Sequence, residues 1–264
     1  QFVVAEYRVL LVVGFGGHRA RIRERAVNAL CPHPPQPNVY DCRPPRSGMT
    51  RVAVIAGVGP TIGAAVARRF HDDGFAVALL ARSEEYVRTL AADLGGDAVA
   101  IPTDVTDGAA VEAALERVRD ELGPAEVLGL NASGGGGNPV DDASADRLRE
   151  LFDVRVAGSM ACVRAALPDL RGTEGTVLFS GTTFAEPPVT AQVEWGAVAP
   201  AARGLALSLD AALDDVSVTY VRIGSPVRPD AGPTAIDAAA LAAEYRRLVD
   251  HEGIATREID VRKR

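Results

Sequence analysis

From residue 49 to the C-terminus, the hydrophobic pattern of this chain predicts an α/β fold: a single domain built on a doubly wound parallel sheet with helices on both faces. Three observations carry that expectation. Apolar runs of strand length alternate with helical stretches along the whole segment, the order that builds a parallel sheet. The runs RVAVIAG (51–57) and FAVALLA (75–81) leave no polar face, as strands covered on both sides require. Between them Gly57, Gly59 and Gly63 make a turn that opens directly into TIGAAVARRF at helical spacing.

The remaining elements follow in order. DAVAIPTD (97–104) is a third strand and GAAVEAALERVRDEL (108–122) an amphipathic helix; no helix is assigned between the second and third strands. AEVLGLNA (125–132) is a fourth strand, running into a flexible SGGGGN loop (133–138). A long helix is expected from about Ser144 to Leu170, with Leu148, Leu151, Phe152 and Val156 as its apolar stripe. GTVLFSG (175–181) is the fifth strand, a helix runs from about Val198 to Leu213, and VSVTYVRIG (216–224) is the sixth strand. Ile236 to Val249 reads as the last helix and REIDVR (257–262) as a short closing strand.

The first 48 residues do not share this pattern. Six prolines lie between Cys31 and Arg46 with no hydrophobic period, the mark of an extended or disordered stretch. Met49 stands directly before the first strand, so residues 1–48 are expected to be a disordered extension or a mis-called upstream segment, and residues 49–264 the folded domain. A partner-binding arm is the rival expectation for the extension.

Composition narrows the function classes. The chain has 264 residues, 47% hydrophobic and 24% charged, enough for one large core. A net charge of −7 with no basic stripe argues against nucleic-acid binding. The apolar run VLLVVGFGG (9–17) is too short to span a bilayer, and its arginines follow it, unlike those of a secretory signal. Cys31, Cys42 and Cys162 lack metal-ligand spacing, no metal is expected, and Cys162 reads as a small core residue. A cytoplasmic location fits these features.

The glycine turn carries specific chemistry. In a strand–turn–helix–strand unit such glycines permit a tight turn, let the backbone approach a pyrophosphate, and bring helix against sheet. The helix N-terminus then offers unpaired N–H groups to the phosphates. An acid at the end of the second strand would accept bonds from an adenosine 2′-hydroxyl, whereas an arginine suits a 2′-phosphate. Ala81 occupies the acid's place and Arg82 and Ser83 follow, so NADP(H) is favoured over NAD(H).

From Met49 onward the chain resembles the short-chain dehydrogenase/reductases, single-domain Rossmann-type enzymes using NAD or NADP. The family's Thr-Gly-x-x-x-Gly-x-Gly motif appears as Ala56-Gly57-Val58-Gly59-Pro60-Thr61-Ile62-Gly63. Asp104 and Val105 match the aspartate after the third strand that typically contacts adenine. Asn131, Ala132 and Ser133 match the Asn-Asn-Ala-Gly strand end, and REIDVR resembles the tail of one bacterial subgroup. The resemblance implies a small-molecule substrate or ligand and allows a homo-oligomer. Thr61 departs from the motif's second glycine: its side chain would either crowd the pyrophosphate or donate a hydrogen bond to it.

The catalytic half departs further. The family usually carries Asn, Ser, Tyr and Lys, the last two as Tyr-x-x-x-Lys. Aligning ARGLALSL (202–209) with the helix after that motif puts Trp195 at the tyrosine position and Ala199 at the lysine position. Thr182, thirteen residues before Trp195, falls at the serine position, with Ser180 and Thr183 as neighbouring candidates. VRVAG (154–158) matches Asn-Val-x-Gly, which puts Arg155 at the asparagine position. An indole N–H has no useful acidity, an alanine offers no ribose contact, and an arginine cannot stand in for a neutral amide in a proton relay. Thr182 alone keeps a hydroxyl, as a retained substrate contact or as a turn threonine; Trp195 is a packing residue or a pocket wall. Pro200 suggests a bent or late-starting helix here. His71 and His251 read as surface residues, and Glu186 and Glu194 flank the pocket sequence without the spacing of a replacement base. The proline-rich segment 225–234 is short for a lid, which suggests a shallow or open pocket. Two functions therefore stand: an NADP(H)-dependent oxidoreductase for a small carbonyl or alcohol with a weakened proton relay, or a catalytically silent or non-redox protein that binds NADP(H) or another ligand on the same fold.

Overall fold

Val52, Val54 and Ala56 face one side of the first strand, Ala53 and Ile55 the other, and all five are buried. The two-residue period of a strand thus feeds two separate cores, and helices must cover both. The structure, a computed structural model, describes residues 50–186, 188–250 and 256–263. The expectations for residues 1–48, Cys31, Cys42, Met49 and His251 lie outside the described residues.

In chain order the elements are β1 (Val52–Ala56), α1 (Ile62–Asp72), β2 (Ala76–Ala81), α2 (Glu84–Leu94), β3 (Ala98–Pro102), α3 (Gly108–Glu121), β4 (Val127–Leu130) and α4 (Ala145–Phe152). After a π-helical turn at Asp153–Gly158 come α5 (Ser159–Thr173), β5 (Thr176–Thr182), α6 (Val193–Ala212), β6 (Ser217–Ile223), β7 (Val227–Arg228), β8 (Ile236–Asp237), α7 (Ala238–Val249) and β9 (Glu258–Val261). Seven strands form one parallel sheet in the order β3-β2-β1-β4-β5-β6-β9, and β7 and β8 pair apart from it. Helices α1, α2 and α7 cover one face, with Phe70, Val87, Leu241 and Tyr245 in the core. Helices α3, α5 and α6 cover the other, with Leu115, Val163, Leu170 and Val198. This is the Rossmann-type doubly wound architecture. The chain winds outward from β1 through β2 to β3, then returns to β4, so a crevice opens at the carboxyl ends of β1 and β4.

Four local details differ from the sequence expectation. Helix α2 stands where the apolar pattern predicts none; Ser83 followed by Glu84 and Glu85 is its start signal, with acids favourable in the first turn. The long helix is interrupted by the π-turn, where Gly158 approaches so closely that a Cβ would lie 2.8 Å from the Val105 carbonyl oxygen. Helix α6 begins at Val193 rather than near Val198 and continues through Pro200. Proline removes one N–H, but Glu194 and Trp195 are buried in that first turn, and their contacts hold the early start in place. The final helix begins after β8, where the Asp237 side chain accepts from the Ala240 N–H at 2.9 Å.

Candidate functional site

The glycine turn is clipped to the strands on either side of it. Gly57 N–H donates to the Leu80 carbonyl of β2 at 2.8 Å, and the Asn131 side-chain amide donates to the Gly57 carbonyl at 2.8 Å. Gly57 has φ of +95°, and a Cβ there would fall 2.1 Å from the Ala132 nitrogen, so only glycine fits. At Gly63 a Cβ would lie 2.8 Å from the Gly57 oxygen; this glycine brings α1 against β1. Gly59 is different: nothing lies within 4 Å of its Cβ position, and its open side faces the crevice. No side chain caps α1 at Thr61; the Ala64 N–H is taken by the Gly59 carbonyl at 2.9 Å, which leaves the N–H groups of Ile62 and Gly63 for an anion. These residues fit a dinucleotide pyrophosphate.

A cleft of about 310 Å³ runs from this turn across the ends of β2, β3 and β4, lined by Gly57, Gly59, Ala81, Arg82, Asp104, Val105 and the 131–135 segment. Arg82 is exposed at its edge and has no ion-pair partner among the described residues. Asp104 accepts from the Thr106 N–H at 3.0 Å and its hydroxyl at 2.8 Å. The backbone bond from Thr106 is the main reason its carboxyl lies below the ordinary aspartate value, and Arg82 adds to the effect. The sequence also nominated Ser83, Ile62 and Gly63 for this ligand. Ser83 instead stands exposed at the start of α2 outside the lining, Gly63 is a packing residue, and Ile62 lines the adjoining cleft.

That adjoining cleft, about 300 Å³, shares Gly59, Asn131 and Ser133 with the first and gathers Thr61, Arg155, Ser180, Thr182 and Trp195. Of these two clefts Thr61 lines the inner one, away from Arg82 and Asp104. Arg155 is buried by the π-turn; it donates to the Ser180 carbonyl at 2.7 Å and the Ala132 carbonyl at 3.2 Å, and its guanidinium lies 5.1 Å from the Trp195 ring centre. The Thr182 hydroxyl oxygen accepts from the Phe184 N–H at 3.3 Å, while the Thr182 N–H donates to the Tyr220 hydroxyl at 3.2 Å. Tyr245 donates to the Ser180 hydroxyl at 2.7 Å. Burial pushes the hydroxyls of both tyrosines above the ordinary value, so both are neutral near pH 7. Ala199, at the lysine position, is fully buried and outside the lining. Cys162 is buried too, its thiol pushed up to about 12 by desolvation, which fits a core residue and not a nucleophile.

Trp195 ties down the glycine loop. Its indole N–H donates to the Gly135 carbonyl at 2.7 Å, which uses the ring's one polar hydrogen. Arg147 of α4 donates to the carbonyls of Gly134 and Gly136, both at 2.7 Å, and the Gly137 N–H donates to the Gln192 side chain at 3.2 Å. Glu194 completes the clamp by accepting from the Asn138 N–H at 2.7 Å and the Ser144 N–H at 3.2 Å. Those bonds, Asn138's backbone first, hold its carboxyl at about 2, far too acidic for a base near neutrality. Glu186 pairs with Arg222 at 2.8 Å. The loop read as flexible is therefore held along its length by α4 and α6. Arg147, Gln192 and Tyr245 escaped the sequence reading: their partners lie 11 to 65 residues away, and no motif marks the pairing.

A family model described as short chain dehydrogenase matches residues 51–228. The chain belongs to the short-chain dehydrogenase/reductase family. Among characterised relatives, meso-2,3-butanediol dehydrogenase from Serratia marcescens is 37% identical over 129 residues, 48% of this chain and 51% of that protein. Oxidoreductase asL5 from Sarocladium schorii is 28% identical over 172 residues, 64% of this chain and 68% of that one. The chain spans about half the length of most of the curated relatives it matches. Two solved structures share the fold. The alcohol dehydrogenase of the archaeon Thermococcus sibiricus, complexed with 5-hydroxy-NADP, superposes with a TM-score of 0.75 at 24% identity, covering 81% of this chain and 97% of that one. L-sorbose reductase from Gluconobacter frateurii, complexed with NADPH and L-sorbose, gives 0.74 at 19% identity, covering 81% and 96%. No helix among the described residues is long and apolar enough to cross a membrane.

Proposed function

We propose that this protein binds NADP(H) in preference to NAD(H) and acts as an oxidoreductase on a small carbonyl or alcohol substrate, with turnover limited by the loss of the family's proton relay. The observation that carries this reading is the outer cleft: a glycine turn left open at Gly59, with Arg82 at the rim where Ala81 replaces an acid, and the start of α1 in the adjoining cleft. When bound there, a nicotinamide cofactor supplies hydride chemistry. The chain's own residues do the rest. Gly59 leaves room for the backbone to meet a pyrophosphate, Arg82 pairs with a 2′-phosphate, and Asp104, already ionised, accepts from an adenine amine. In the inner cleft, Thr182 orients a substrate oxygen. No side chain there delivers a proton near neutral pH: Trp195 is committed to Gly135, and Glu194 is too acidic.

The commitment of Trp195 also favours a second reading, a cofactor-binding protein without turnover. One experiment separates the two. NADPH and NADH are titrated into the protein, and hydride transfer to an activated ketone is then followed in a single turnover. Tighter NADPH binding with measurable but slow transfer supports the proposal; binding without transfer supports the silent reading. Equal affinities would remove the NADP(H) preference, and turnover near 10 s⁻¹, typical of enzymes, would show that another group delivers the proton and refute the limited-turnover reading.

A further inference from the structure

A buried guanidinium needs a counter-charge, because hydrogen bonds to neutral groups repay only part of its dehydration. Arg155 is 6% exposed and has no carboxylate in ion-pair range among the described residues. Its bonds go to two main-chain carbonyls. Of the five N–H groups of an arginine, that leaves three without an acceptor: one on each terminal nitrogen, and the Nε, which is too deeply buried for a ligand in the cleft to reach. The two tyrosines whose hydroxyls approach it electrically, Tyr220 and Tyr245, are neutral. The inner cleft that Arg155 lines contains no Asp or Glu. Glu186 and Glu194 are occupied by Arg222 and by the glycine loop.

The same cleft holds a second group waiting for an acceptor. The Thr182 oxygen takes the Phe184 N–H, but its own hydroxyl hydrogen has no acceptor among the described residues. Trp195, packed against the guanidinium at 5.1 Å, limits the planes Arg155 can adopt.

We infer that the inner cleft takes a small ligand carrying a carboxylate, anchored by Arg155 and Thr182. The substrate class is thus an oxo acid or hydroxy acid rather than a neutral ketone or alcohol. This rests on the reading of the cleft as the substrate site. The dinucleotide's own phosphates are the other source of an anion, since Thr61 and Ile62 at the start of α1 line this same cleft, and the NADPH arm of the test separates the two.

Acetoacetate and its uncharged methyl ester test the inference, titrated into the full chain with and without NADPH. Trp195 is the chain's single tryptophan, so its fluorescence reports on the Arg155 contact directly; calorimetry serves for the NADPH-loaded protein. The acid is expected to bind about ten- to a hundredfold tighter than the ester, as a charge-assisted hydrogen bond provides. Arg155→Gln should abolish that preference with NADPH affinity unchanged within twofold, and Arg155→Lys should retain part of it. Should Arg155→Gln fail to fold, the acid-against-ester comparison in the unmutated protein decides alone. Equal binding of acid and ester, binding of neither, or an acid preference that survives Arg155→Gln would overturn the inference. Acid and ester binding alike, with NADPH affinity falling tenfold in Arg155→Gln, would assign the arginine to the cofactor's phosphates instead. An acid preference in a protein that binds no NADPH would uphold the carboxylate anchor while removing the cofactor reading.

Discussion

Trp195→Tyr with Ala199→Lys would install the family's proton donor and its activator, yet the structure leaves neither residue a working place. The Ala199 side chain is 0% exposed and packed in the core under α6. A lysine there overfills that space at a cost of about 1–3 kcal/mol. Its ammonium meets no acid. It also lies one helical turn from Trp195, on the face that carries the Arg155 cation. Such a lysine sheds its proton, with a pKa lowered by about 3–4 units, which at 1.36 kcal/mol per unit costs about 4–5 kcal/mol at pH 7. Replacing the indole removes the bond to the Gly135 carbonyl and weakens the stacking on Arg155, about 1–2 kcal/mol together. The double variant therefore loses about 6–10 kcal/mol, comparable with the whole stability of a typical domain. Urea unfolding followed by circular dichroism, on both single variants and the double, measures this. Trp195→Tyr alone should fold with a modestly lower midpoint, and either protein carrying Ala199→Lys should be largely unfolded at pH 7. A double variant within about 1 kcal/mol of the unmutated protein that reduces an activated ketone a hundredfold faster would refute the reasoning. The site would then be an open tetrad framework and not a repacked one.

Further predictions follow from the same geometry. Arg82→Ala should weaken NADPH binding about ten- to a hundredfold and leave NADH binding unchanged by titration, as loss of a charge-assisted phosphate contact requires; an equal loss for both would place the arginine elsewhere. Gly57→Ala should destabilise the fold by about 2 kcal/mol or more, because positive φ and the Ala132 backbone both exclude a Cβ. Gly59→Ala should leave the urea midpoint alone and reduce only cofactor affinity; a large stability loss there would show that Gly59 packs the turn. Glu194, lowered from 4.5 to about 2 in the folded state, contributes stability that is present above pH 4.5 and lost as pH falls through about 2. Amide exchange at Asn138 and Ser144, corrected for its intrinsic pH dependence, should therefore speed up across that acid window, and Glu194→Gln should remove the change. A Glu194 carboxyl titrating above 4.5 by NMR would contradict the clamp.

The sequence by itself determined the fold class and the seven strands of the main sheet, and it marked the glycine turn, because each is written in local terms. Strands buried on both faces show as unbroken apolar runs, and a glycine turn between strand and helix is a requirement of neighbouring backbone. Thus β1, α1 and β2, with Gly57, Gly59 and Arg82, were legible within about thirty residues of chain. The departures from the family motif at Arg155, Trp195 and Ala199 are visible in the sequence as residue types alone. What those side chains contact was decided by the tertiary structure. Glu194 looked like a spare carboxylate until Asn138 and Ser144, more than 49 residues away in sequence, turned their N–H groups onto it. Trp195 reaches Gly135 across 60 residues, Tyr245 reaches Ser180 across 65, and Arg155 lines the cleft from within the π-turn. A hydrogen bond between distant segments leaves no periodicity and no motif, since either partner would look the same in a chain that folded them apart. The charge balance of the inner cleft, one buried cation and no acid, exists only once those segments have met.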